Sequence, residues 1–259
     1  MTDQAGEFTE DAFLGGQLRL RQPKSGHRAG HDAMLLAAAT PALAGECVVD
    51  FGAGVGAAGL AVARRVPGIR LVLVEIDEGL AALARGNAGS NAIAAEIVAL
   101  DVMSGADAFV AAGLPPDSAD VVLMNPPFND PSRHRASPQR AREIAHVATA
   151  ETLEGWIHAA RRTLKSGGVL TMIWRADGLA EVLAALDRGF GSLAILPVHA
   201  DPGSSAIRVL IRAVKGGRAP MQLHAALIIN EGSTPHRPAQ EIKVREILAG
   251  KGVLPLAIP

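Results

Sequence analysis

Between Glu46 and Arg175, short near-continuous apolar runs recur at intervals filled by Ala-, Leu- and Arg-rich segments. A parallel sheet with helical crossovers imposes this spacing on a chain. The runs Cys47–Phe51, Arg70–Val74, Glu96–Leu100, Asp120–Met124 and Val169–Trp174 predict five strands. They lack polar alternation, so the sheet is expected to be covered on both faces. Helices are expected at about Ala57–Arg65, Leu80–Asn91 and Leu153–Leu164, the last closed by Lys165-Ser166-Gly167-Gly168. Ala194–His199 and Ile207–Val214 alternate well enough to add two strands as an antiparallel pair, giving a doubly wound, mostly parallel α/β sheet of seven strands.

Two extensions flank this core within one expected domain, residues 1–259: an N-terminal segment 1–45, the core 46–215 and a C-terminal segment 216–259. The first holds a short strand at Leu18–Arg21 and a helix from about Asp32 to Ala39. The second predicts a strand at Leu223–Ile229 and a helix at about Ala239–Leu248, with Pro238 placed to start it.

With 49% hydrophobic residues the chain can bury a large core, and a formal net charge of −1 excludes a globally basic nucleic-acid binder. A local patch survives that exclusion, because Arg133, Arg135, Arg140 and Arg142 crowd one polar stretch. One cysteine, Cys47, excludes a disulfide framework and a Cys-rich zinc site. His27 and His31 are four apart, but glycine interrupts any helix between them and no acid joins them, so no metal is expected. The first residues are polar and acidic, unlike a secretory signal, and apolar runs break before the ~20 residues of a membrane span. A soluble, cytoplasmic protein is expected.

Three successive strand ends and a fourth carry the chemistry. After the first core strand comes Asp50-Phe51-Gly52-Ala53-Gly54-Val55-Gly56-Ala57-Ala58-Gly59. Its glycines let the backbone turn tightly and approach a ligand at the next helix N-terminus. Gly54, Gly56 and Gly59 fit the dinucleotide pattern GxGxxG, while Gly52, Gly54 and Gly56 fit GxGxG, so the loop alone leaves both open. Glu75 ends the second strand, where an acid holds ribose hydroxyls, and Asp101 ends the third. The fourth delivers Asn125-Pro126-Pro127-Phe128. Proline fixes its own φ and holds its neighbour extended, so Asn125 and Pro126 present rigid carbonyl oxygens suited to gripping an NH2 group.

In this motif order, from Val48 to Trp174, the sequence resembles the class I S-adenosylmethionine-dependent methyltransferases with a Rossmann-like core, and among them the Asn-Pro-Pro-Phe/Tyr branch that methylates exocyclic or amide nitrogens. Phe13-Leu14-Gly15-Gly16, the run from Gln22 to Ala33, Gly52–Leu60 and Ala206–Arg208 through Lys215-Gly216 resemble the bacterial tRNA (adenine-N6)-methyltransferase family acting beside the anticodon of a valine tRNA. The resemblance implies S-adenosylmethionine as cofactor, held by Asp50, Gly52, Ala53, Gly54 and Gly56, by Glu75 and Ile76, by Asp101 and Val102, and by Asn125. It also implies that the segment before the first core strand covers the cofactor, bringing Arg28, His31 and Asp32 to its methionyl end, although His31 stands where many relatives have threonine. Asn125 and Pro126 would accept the target N–H bonds and Phe128 would stack on an extruded base, with no general base required.

RNA is the expected partner, probed by Pro127, Arg133, Arg135 and Arg140, with Arg208, Arg212, Lys215 and Arg218 as further phosphate contacts. Competing readings are another amine (guanine N2 of ribosomal RNA, a glutamine amide, a small molecule), an NAD(P)-dependent oxidoreductase, and a non-catalytic cofactor-binding module.

Overall fold

The computed structural model describes residues 8–24, 28–127, 138–229 and 246–257, with residues 138–150 and 257 described by backbone alone. The chain opens with an antiparallel hairpin, β1 (Phe8–Phe13) and β2 (Leu18–Pro23), whose register runs from Phe8↔Pro23 to Phe13↔Leu18. There follow α1 (His31–Ala39), β3 (Cys47–Phe51), α2 (Ala57–Arg65), β4 (Arg70–Glu75), α3 (Glu78–Ser90), β5 (Glu96–Ala99) and α4 (Ala106–Ala111). The rest comprises β6 (Ala119–Met124), α5 (Pro138–Thr163), β7 (Leu164–Arg175), α6 (Leu179–Leu186), β8 (Phe190–His199), β9 (Ala206–Lys215), β10 (Gln222–Leu223) and β11 (Leu227–Ile228).

The main sheet has the order β10-β8-β9-β7-β6-β3-β4-β5, with β11 also on β8. Strands β3 to β7 are parallel, and β9 runs antiparallel between β7 and β8. Order reverses between β3 and β6, so the crevice outside their carboxyl ends is the natural ligand site of such a sheet.

Successive strand residues face opposite sides, and the core divides accordingly. Val48, Leu71, Leu73, Val121, Leu123 and Ile173 pack with α1, α2 and α3. Val49, Phe51, Val72, Val74, Val122 and Met124 pack with α4, α5 and α6. Leu18 and Leu20 of the hairpin, and Leu254 and Leu256 near the other end, join the first cluster.

The structure departs from the sequence expectation in a few places. The strand expected over Leu223–Ile229 is two short ones, because four residues here span three of β8 (Leu223↔Ile195, Leu227↔Val198). The sheet therefore has nine strands rather than seven. The Lys165–Gly168 turn is not a gap before the strand but an irregular entry to β7: Ala119 pairs with Leu164, Val121 with Val169. Gly167 takes φ +78, and a Cβ at Gly168 would lie 2.9 Å from the Lys165 carbonyl. Helix α5 begins fifteen residues earlier than Leu153. Residues 230–245, including most of the expected C-terminal helix, lie outside the description, and residues 246–248 are helical.

Candidate active site

Strand β3 is buried along its whole length and ends at Phe51, so the chain must leave the sheet within a packed interior. It does so through left-handed glycines: φ is +67 at Gly52, +57 at Gly54 and +87 at Gly56, which caps α2. Glycine alone takes these angles without steric cost. A Cβ on Gly52 would also overlap the Trp156 indole, whereas one on Gly54 meets nothing within 4 Å. Gly59 has an ordinary helical conformation and serves packing: its Cβ would come 2.5 Å from Leu73 and 3.1 Å from Asp50.

Two carboxylates brace the loop. Glu75, at the end of β4, accepts from the Gly54 N–H at 2.7 Å through Oε2 and from the Asp77 N–H at 2.9 Å through Oε1. Asp77 in turn caps α3, accepting from Leu80 N–H at 2.9 Å. Asp50 accepts from Gly59 N–H at 2.8 Å. Burial pushes the Asp50 carboxyl up to about 7, the Glu75 charge adds to the rise, and the Gly59 N–H opposes it.

The opposite wall comes from the N-terminal segment. Arg28 donates to Pro23 O at 2.7 Å, Thr9 Oγ1 at 2.9 Å and Asp11 Oδ2 at 2.5 Å. Gln22, fully buried, donates to Asp11 at 2.8 Å and accepts from Ala29 N–H at 2.8 Å. His31 and Asp32 open α1, and Arg208 of β9 donates to Asp32 Oδ2 at 3.0 Å.

Between these walls lies a cavity of about 320 Å3, a size proper to small-molecule sites. Of the residues expected to hold the cofactor, it brings together Arg28, His31, Asp32, Asp50, Gly52, Ala53, Gly54 and Asn125. Gly56 and Glu75 do not line it; they shape and brace its floor. Ile76 is 64% exposed beyond the end of β4. Asp101 accepts from Met103 N–H at 2.8 Å, and the Val102 side chain is committed to the core, leaving Met103, 49% exposed, as the apolar surface of that strand end. Leu80 lines the cavity as well, and neither it nor Met103 is evident from the motifs.

Asn125 is half-buried, Pro126 buried and Pro127 exposed. Phe128, Arg133 and Arg135 lie outside the described residues, and of Arg140 only the place in α5 is described. Two of the further basic residues are misplaced by the sequence reading. Lys215 bonds Asp117 and Leu164 O, both 2.7 Å away, at the opposite edge of the sheet from Asn125. Arg212 is spent on Leu256 O at 3.1 Å. The cause is that β9 runs antiparallel, so only its first residues, near Arg208↔Arg175, reach the functional edge. Among the described residues there is no cluster of three or more His, Cys, Asp or Glu able to hold a metal, and no helix long and apolar enough to cross a membrane.

A family model described as methyltransferase small domain matches residues 29–200. Curated relatives include tRNA1(Val) (adenine(37)-N6)-methyltransferases of Porphyromonas gingivalis, 31% identical over 66% of this chain and 68% of the relative, and of Flavobacterium psychrophilum, 30% identical over 61% and 65%. A ribosomal RNA small subunit methyltransferase C of Citrobacter koseri is 28% identical over 61% of this chain, which spans only 39% of that relative. Among solved structures, one described as a predicted O-methyltransferase from Agrobacterium tumefaciens matches with TM-score 0.69 and 33% identity over 86% of this chain and 98% of its own. In fold alone, a 16S rRNA N2 methyltransferase of T. thermophilus, solved with AdoMet and guanosine, matches with TM-score 0.54 at 19% identity, covering 80% of this chain and 50% of its own.

Proposed function

Because the chain belongs to the methyltransferase small domain family, we propose that it transfers the methyl group of S-adenosylmethionine to an exocyclic ring nitrogen, adenine N6 in tRNA. The observation that carries this reading is that Asn125, at the carboxyl end of β6, opens into the same cavity as the glycine loop. A hydride-transfer reading has no use for that asparagine, and family membership removes it.

The residues fit the cofactor in kind. Left-handed Gly54 leaves backbone room, Glu75 at the end of β4 would hold the ribose hydroxyls, and Ile76 and Met103 offer exposed apolar surface for a flat ring. Arg28 and Asp32 supply charge, and His31 a polar ring, for an amino-acid end. Contact at the third strand end falls to Asp101, Met103 and the Val102 backbone, since the Val102 side chain is in the core.

The bound cofactor supplies an activated methyl on a sulfonium, so the protein's task is positioning. Asn125 Oδ1 and the Pro126 carbonyl accept the two N–H bonds of the amine and aim its lone pair. Methyl transfer would form a C–N bond as the sulfonium C–S bond breaks, and the surplus proton would leave to water. Two fixed acceptors match an NH2 group better than a hydroxyl, which has one proton to donate; this favours nitrogen over oxygen as the target. Phe128 would stack on the base, and Arg133, Arg135 and Arg140 would meet phosphates. The protein is proposed to work in the cytoplasm, where tRNA is found.

Labelled methyl transfer to separated pools of unmodified tRNA, ribosomal RNA and protein, read by nucleoside mass spectrometry, tests the proposal. N6-methyladenosine in tRNA is expected. N2-methylguanosine in ribosomal RNA would instead support a second reading, suggested by the Citrobacter relative. Asn125→Ala should lower turnover by roughly a hundredfold or more while cofactor affinity survives; equal loss of both would refute the division of roles.

A further inference from the structure

Asn87, in the last turns of α3, and Asn91, the residue that caps its C-terminus, lie one turn apart on the side that meets β2. Each side-chain amide pairs with both backbone groups, N–H and C=O, of a single β2 residue. Asn91 accepts from Arg19 N–H at 3.0 Å and donates to Arg19 O at 2.7 Å. Asn87 accepts from Arg21 N–H at 2.8 Å and donates to Arg21 O at 3.1 Å. Four helical residues rise about 6.0 Å and two strand residues about 6.8 Å, so amides spaced i, i+4 on a helix fall opposite alternate residues of a strand. The pair thus substitutes for the third strand that the free side of β2 would otherwise accept.

Asn87 does more than close an edge. It is 1% exposed, and its NH2 also donates to Val55 O at 3.0 Å, in the glycine loop. From Arg21 the chain continues to Gln22, which holds Ala29 and Asp11, and Asp11 holds Arg28. One buried amide behind the cavity therefore bonds both walls: the loop through Val55 and the N-terminal cover through β2. It lines neither wall itself.

We infer that Asn87 is a positioning residue that sets the separation of the two walls of the cofactor cavity, acting through Val55 and β2 without touching cofactor. The inference rests on the methyltransferase reading above. Its test compares Asn87→Ala, Asn87→Asp and Asn91→Ala for affinity towards S-adenosylhomocysteine by calorimetry, with hydrogen exchange at Arg19 and Arg21 and a thermal melt of each. Asn91→Ala should quicken exchange at Arg19 and leave affinity within about twofold. Asn87→Ala should quicken exchange at Arg21 and weaken binding roughly tenfold, with a cooperative melt retained. Asn87→Asp keeps the acceptor for Arg21 N–H but loses donation to Val55 O, so it should weaken binding as much while protecting Arg21 better than alanine does. Unchanged affinity in the folded Asn87 variants, or equal losses at positions 87 and 91, would overturn the inference. If Asn87→Ala does not fold, Asn87→Asp against Asn91→Ala makes the same comparison. Failure of the unaltered protein to bind the probe would instead sink the methyltransferase reading, and this inference with it.

Discussion

The glycine-loop wall of the cavity takes all its lining from residues 50–58, whereas the facing wall takes Arg28 to Ala33 and Leu36 and holds them with bonds from distant parts of the chain. On the first, geometry is carried by backbone: three left-handed glycines, and two carboxylates that grip N–H groups. On the second it is carried by side chains, with Arg28 reaching Asp11 across 17 positions and Arg208 reaching Asp32 across 176. A backbone wall admits few substitutions because its angles and its close packing are both exclusive. A side-chain wall loses one bond at a time. Gly52→Ala is the hardest test of the first statement. Left-handed alanine and overlap with Trp156 together should cost about 3 kcal/mol, lowering Tm by roughly 10 °C in a chain this long. Gly54→Ala, strained in φ but open in space, should cost less than half of that. Equal melting of the two variants would show that packing against Trp156 contributes nothing.

The same division explains what the sequence disclosed. Strand β3 and helix α2 coincide with the runs read as Cys47–Phe51 and Ala57–Arg65, because buried parallel strands and a glycine-capped helix leave local signals. Helices α4 and α6 were not legible: they have six and eight residues, and neither has a side-chain cap at its start. Strand β1, Phe-Thr-Glu-Asp-Ala-Phe, has no apolar alternation; its place is set by β2 and by Arg28. At the site, the glycines and Asn125 were visible because contiguous residues encode a turn. Asp11, Gln22 and Asn87 were invisible, since each matters only through partners that the fold brings near. Lys215 was misread for the converse reason, that nothing local reveals which end of an antiparallel strand meets the ligand edge.

Asp50 gives the backbone wall a dependence on pH. Its carboxyl ordinarily titrates at 3.8 and is held at about 7 in the folded protein, chiefly by burial. Between those values the folded state binds more protons than the unfolded, so stability falls as pH rises through the interval and levels off above it. Asp50→Asn keeps an acceptor for Gly59 N–H and cannot ionise. Between pH 5 and pH 8 the unaltered protein should lose about 3 kcal/mol relative to the variant, read as a Tm difference that widens with pH. Parallel Tm profiles would mean that Asp50 ionises freely inside the fold.

Arg28 sharpens the comparison on the other wall, where the expected effect is smallest. Its ion pair with Asp11 is about one-third exposed on each side, and a pair so screened adds less than about 1 kcal/mol to stability. Arg28→Ala should therefore move Tm little. Affinity is the sensitive readout, because the same residue lines the cavity. Arg28→Ala should weaken S-adenosylmethionine binding roughly tenfold, equivalent to about 1.4 kcal/mol. Asp11→Asn, which leaves Arg28 in place with a weaker tether, should weaken it about threefold. A gap between the two variants separates direct contact from bracing: if Asp11→Asn matches Arg28→Ala, Arg28 acts only by fastening the hairpin, and the cover meets the cofactor through His31 and Asp32 alone.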